Sequence, residues 1–247
     1  MANLFIREFF LIALILPLGA KSQTTDWDFG SWYGVSITKN WTKKWSTNVD
    51  FQTRLDSSST ALKVAFTDVG VNYSINKVFS LSGNYRYGVS SFSPITTYTQ
   101  RGYIDFKMIK PKKFLFKTKR INLSLRVRGQ VVYGVKNLNR VYPELLLRPK
   151  LTVQYDSKKM PLKPYLAAEL FLKLNEPTYT FDNAPRAEAY FEKHRITTGV
   201  DWSVNKHHSL RVFYILQGDM TRSAVNSIIG VGYEYELPKK KKKKLYD

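Results

Sequence analysis

The sequence predicts an all-β fold, an antiparallel up-and-down transmembrane β-barrel of about 12 strands. Three observations carry this prediction. Apolar and polar residues alternate with a period of two along most of the chain after residue 26. The alternating segments run mostly 11–16 residues. Ordinary globular strands are nearer ~5–6 residues, whereas a strand crossing hydrocarbon at a tilt needs ~9–11. The links between segments alternate between short and long, as periplasmic turns and outer loops do in membrane barrels.

The elements follow in order. Residues 1–22 read as a cleaved secretory signal: Arg7 supplies the charge, Phe9 to Leu16 is an apolar run, and Pro17-Leu18-Gly19 breaks it. Small residues at Ala20 and Ser22 put Gln23 first in the mature chain. The barrel is assigned to 23–237 and a lysine-rich tail to 238–247.

Eleven strands are legible, at 27–38, 44–55, 61–76, 78–90, 98–109, 120–134, 142–155, 163–175, 188–204, 208–218 and 224–237. In the second, Trp45, Thr47, Val49, Phe51, Thr53 and Leu55 take one face, and Ser46, Asn48, Asp50, Gln52 and Arg54 the other. Bacterial barrels of this kind use even strand numbers. The expectation is therefore twelve, with the last hidden in a loop such as Asn175–Ala187, or else ten. Aromatic residues gather toward strand ends, at Trp27, Trp32, Trp41, Trp45, Tyr73, Tyr87, Tyr98, Tyr155, Trp202, Tyr233 and Tyr235, as an interfacial girdle would.

Composition narrows the alternatives. A mean hydropathy of −0.32 excludes a bundle of membrane helices but is compatible with strands whose faces alternate. With no cysteine, disulfide frameworks and thiolate metal sites are excluded. The 39 Lys and Arg against 19 Asp and Glu give a net charge of +20. Export argues against nucleic acid as the partner of that charge. Many of the lysines, such as Lys39, Lys43, Lys77, Lys163 and Lys206, fall in or beside the short turns. There they would face anionic head groups of the outer membrane's inner leaflet. A soluble β-sandwich or a periplasmic binding barrel is the competing architecture.

The run "WSTNVDFQTRL", then "VGVNYSINKVFSLSGNYRYG", "LSLRVRGQ", "KPYLAAELFLKLN" and "HRITTGVDWSVNKHHSLRVFY" resembles an uncharacterised, domain-of-unknown-function family of outer-membrane β-barrels from Gram-negative bacteria. The resemblance spans roughly residues 27–237. It implies a barrel and an outer-membrane location, with no catalytic residues to carry over. The terminal lysine run departs from the pattern, because such barrels usually stop soon after the last strand.

With the apolar face toward lipid, the other face carries Arg54, Arg86, Arg101, Arg126, Arg128, Arg148, Arg195 and Arg211, with Asp50, Asp68, Asp105, Glu144, Glu169 and Asp201. A charge costs ~2–4 kcal/mol at the bilayer midplane, so these should point inward. Either Arg–carboxylate pairs zip the interior shut, or surplus positive charge attracts anions. Arg126, Arg128, Arg148 and Glu169 are expected to form one mid-barrel cluster. Of the three histidines, His207 and His208 fall in a tight turn and His194 on the lipid-side register. No nucleophile elbow, zinc helix motif or phosphate loop is present. The expected function is therefore a non-enzymatic barrel, a narrow channel or a scaffold, without cofactor or metal. Its expected partners are outer-membrane lipids and small anionic solutes. A lipid-modifying hydrolase is the alternative.

Overall fold

The structure is a computed structural model and describes residues 26–56, 58–92, 95–110, 120–134, 143–156, 160–175, 189–221 and 224–238. The signal expected at 1–22, the lysine run from residue 239 and most of the Asn175–Ala187 loop lie outside these residues.

Eleven strands form one closed barrel. They are β1 (Asp26–Asn40), β2 (Trp45–Asp56), β3 (Ala61–Ser74), β4 (Phe79–Phe92), β5 (Ile95–Lys110), β6 (Ile121–Gly134), β7 (Glu144–Tyr155), β8 (Leu162–Lys173), β9 (Tyr190–Ser203), β10 (His208–Asp219) and β11 (Ala224–Leu237). Neighbours in sequence pair antiparallel, and the wall closes where β1 meets β11 in parallel over fourteen register positions. The expectations of twelve strands, and of ten, are thus corrected to eleven in the closed wall of the described residues. Closure requires only that the first and last edges satisfy each other's backbone groups, and a parallel pair does this as completely as an antiparallel one. An odd number also sends the chain in at one end of the barrel and out at the other.

Period two decides the two faces. Val35, Phe51, Val69, Ile104, Leu151, Val212 and Ile229 all point outward and are more than a third exposed. Among the described residues, no large side chain is fully buried. Rings mark both rims of the outer wall. Trp45 packs on Tyr73 with centroids 4.6 Å apart at the short-turn end, and Tyr87 stacks on Tyr98 at 6.3 Å toward the other. Trp32, counted with the girdle from sequence, instead points inward and is 8% exposed. Its even register on β1 places it opposite Arg54, on the lumen side.

Three short turns at one end share one geometry. In Trp41–Trp45, Ile75–Phe79 and Val204–His208, the first two amides donate to the carbonyl of the fifth residue. The second side chain, Thr42, Asn76 or Asn205, accepts from the fourth and fifth amides at 2.8–3.1 Å. Asn and Thr suit this position because a short polar side chain stands in for a backbone carbonyl. The third residue is lysine each time, Lys43, Lys77 and Lys206.

Inside, two apolar clusters line opposite stretches of wall. Trp32, Ile215 and Ile228 pack with Phe213, and Val132, Leu146 and Phe171 form the other. Gly230 makes room for the first, because a Cβ there would stand 2.1 Å from the Phe213 ring.

Candidate functional site in the lumen

The lumen holds a cavity of about 1100 Å³ lined by residues of all eleven strands. Along β1 the lining runs from Asp28 to Thr38. Those ten steps of ~3.4 Å, on a strand tilted ~40°, correspond to a depth of ~26 Å. Eleven strands ~4.8 Å apart at that tilt give a backbone diameter of ~22 Å, so long side chains from facing walls approach one another.

The lining carries twelve basic and eight acidic side chains. All eight arginines named from sequence as the lumen set are here: Arg54, Arg86, Arg101, Arg126, Arg128, Arg148 and Arg195, with Arg211 nearer the short-turn end. Four carboxylates sit directly across a strand boundary from an arginine: Asp68 from Arg86, Asp105 from Arg128, Glu169 from Arg195 and Asp201 from Arg211. Two of these pairs are forks. Arg86 gives Nε and Nη2 to Asp68 at 2.8 and 2.5 Å, and Arg128 gives the same pair to Asp105 at 2.7 Å each. Fork geometry fixes the guanidinium plane as well as its position.

Glu169 is the hub. Its Oε1 accepts from Arg126 at 2.5 Å and Arg148 at 3.0 Å, and its Oε2 from Arg195 at 3.4 Å. Arg126 reaches it across the whole of β7, passing Lys150, which lies opposite both. The expected cluster of Arg126, Arg128, Arg148 and Glu169 is therefore drawn differently by the structure. Arg128 turns back to Asp105 on β5, and Arg195 from β9 takes the place it was assigned. The directly opposed carboxylate is nearer than one two strands away. Pro149 and a register shift at Phe171/Leu172 flank this point. Without an N–H, Pro149 cannot donate to the ladder, and pairing between β7 and β8 skips positions 148–149.

The same ladder sets like charges face to face. Arg86 lies opposite Arg101, Arg126 opposite Lys150, and Arg128 opposite Arg148. Among the described residues, Arg54 donates Nε and Nη2 only to the uncharged Gln52 oxygen, at 2.8 and 2.6 Å. It sits between two rings, 3.8 Å from the Trp32 centroid and 4.8 Å from Phe66. Rings and guanidinium groups continue around the wall. Arg86 lies 3.6 Å from Phe66, Arg128 3.7 Å from Tyr103, Arg148 4.3 Å and Arg195 4.9 Å from Phe171, and Arg195 5.0 Å from Trp32. Sequence reading missed these inward rings and Lys150. Strand parity was the available signal, since Phe66 shares a face with Asp68 and Lys150 with Arg148.

The histidines lie apart from this constellation. His194 is on the outer wall, its ring against Gly218. At the short-turn rim, His207 Nδ1 bonds the Glu236 carbonyl and His208 Nδ1 the Tyr233 hydroxyl. Among the described residues, no three metal-binding side chains gather.

Residues 29–228 match the family described as "Protein of unknown function (DUF2490)". The chain belongs to that family. Among solved structures, this DUF2490 barrel is similar to the NanC porin, at 13% identity and TM-score 0.44, over 76% of this chain and 86% of that one. It is also similar to LpxR from Salmonella typhimurium, at 10% and 0.45, over 78% and 83%. A third likeness is to the translocator domain of the autotransporter NalP from Neisseria meningitidis, at 10% and 0.42, over 73% and 71%. No curated protein matches the chain.

Proposed function

We propose that this DUF2490 chain is an integral outer-membrane β-barrel, non-enzymatic, whose lumen is a narrow aqueous path favouring small anions. The outer wall supports the membrane setting. Every strand exposes large apolar side chains on it, a surface that a soluble protein would have to cover. Trp27 and Tyr235 mark its height: they are ten register steps apart on the β1–β11 pair. At ~3.3 Å per step and ~40° tilt the separation is ~25 Å, matching the ~25 Å apolar band of outer-membrane barrels. The signal read at 1–22 is in keeping with export.

The observation that carries the path is the deep cavity with four more basic than acidic groups on its lining. A charged lumen with low-dielectric walls concentrates counter-ions of opposite sign.

Planar-bilayer recording with the purified protein tests the reading. Stepwise conductance is expected, with a reversal potential under a KCl gradient displaced toward the chloride equilibrium value. A silent bilayer, or displacement toward potassium, overturns it. Recovery in the soluble periplasmic fraction would overturn the membrane setting itself.

A further inference from the structure

Around mid-lumen, seven arginines and Lys150 share the lining with Asp68, Asp105 and Glu169. The ladder fixes three cation–cation oppositions there, and cross-strand like charges repel. Arginine cannot relieve this by losing its proton. Two of the group, Arg54 and Arg101, form no ion pair with a carboxylate among the described residues, unlike Arg86, Arg126, Arg128, Arg148 and Arg195. Arg54 is hydrogen-bonded only to Gln52, and the Nε of Arg101 is buried without a partner. Two other guanidinium groups share the rings of Arg54: Arg86 lies 3.6 Å from the Phe66 centroid and Arg195 5.0 Å from that of Trp32. Acidic groups act on Arg101, namely Glu144, Asp68 and Glu192, but Asp68 is already forked to Arg86.

Trp32 and Phe66 hold the Arg54 guanidinium between their rings, so its free edge is directed rather than mobile. Buried charge in such a setting is stable when a group of opposite sign shares the site. We infer that the centre of the lumen is a binding site for a small polyvalent oxyanion. Its charge is carried on phosphate or carboxylate oxygens, and Arg54 and Arg101 hold it, with Arg148 and Arg195 completing the ring. The anion supplies the negative charge that the wall lacks. A carboxylate or phosphate group offers two oxygens to the guanidinium fork, which a spherical halide does not. This deepens the anion-path reading, because a path favours anions generally whereas this site retains one class.

The test uses the full mature protein in non-ionic detergent, with inorganic phosphate and citrate as separate probes. Ionic strength is held constant with sodium chloride. Either probe is expected to raise the unfolding temperature saturably, beyond chloride, and to give a matching calorimetric isotherm. The probe that does so identifies the oxyanion. R54Q and R101Q are expected to weaken binding at least tenfold, while K77Q on the rim leaves it unchanged. The anion-free R54Q protein is also expected to unfold at a higher temperature than the parent, since a repelling charge is gone. A purely structural Arg54 would move that temperature down. Phosphate and citrate effects no larger than chloride, or unaltered binding in R54Q and R101Q, overturn the site. Saturable binding without conductance keeps the site and removes the path, whereas anion-selective conductance without saturable binding removes the site and keeps the path.

Discussion

Glu169 carries more of the lumen than any other single residue, because one carboxylate answers three guanidinium groups. It is 4% exposed, so water contributes little to replacing it. Breaking a buried pair typically costs ~3–5 kcal/mol, since the partner charge stays behind. Glu169→Gln is expected to cost that much, measured as a lower midpoint in denaturant unfolding. Arg211→Gln provides the contrast. Its pair with Asp201 is short at 2.5 Å, but the arginine side chain is 52% exposed. An exposed pair is worth ~0–1 kcal/mol, so that variant should stay within this range of the parent. Equal losses at the two positions would mean that burial does not rank these pairs.

Turns and strands make the next scale. The three matching turns depend on one acceptor each, and that acceptor serves two amides. Removing it leaves two donors to water, at ~0.5–1.5 kcal/mol per net hydrogen bond. Asn76→Ala and Asn205→Ala are each expected to lose ~1–2 kcal/mol, and Thr42→Ala less, because a hydroxyl holds such turns more weakly than an amide. Thermal unfolding of the three variants checks both size and order. The opposite end shows the reverse case. Ser58 and Ser59 adopt φ of 59° and 65°, the left-handed region. That conformation costs a non-glycine residue ~1–2 kcal/mol and glycine nearly nothing. Ser58→Gly should therefore raise the unfolding temperature slightly, because its backbone amide still reaches Asp28.

For the molecule as a whole, the seam is the decisive feature. Tyr33 and Val231 face each other across β1 and β11 and both point outward. Adjacent strands place Cα atoms within the ~4.4–6.8 Å that a disulfide requires. The chain has no cysteine of its own, so a Tyr33→Cys/Val231→Cys pair is unambiguous. Oxidation should yield one internally cross-linked species with altered migration on a non-reducing gel. A barrel closed through an additional strand would hold these positions about two strand spacings apart, and no cross-link would form.

The sequence by itself determined the faces. Period two distinguishes lumen from outer wall on every strand, so the inward side of Arg126, Arg128, Arg148 and Glu169 is legible without coordinates. It also determined the strand order and most strand ends, since hairpin turns advertise themselves through Asn, Thr and Lys. It misjudged Trp32, because the girdle reading weighed the ring's chemistry above its even register. Partner choice and closure were decided only in three dimensions. Whether Arg128 meets Asp105 or Glu169 depends on the stagger between strands, which the spacing within any one strand does not contain. Arg195 reaches the Glu169 hub because β8 and β9 pair in that stagger. The odd strand count rests on β1 meeting β11, the contact with the greatest separation along the chain. No local pattern encodes it: both edges carry free backbone groups, and the closed wall is where those groups find partners.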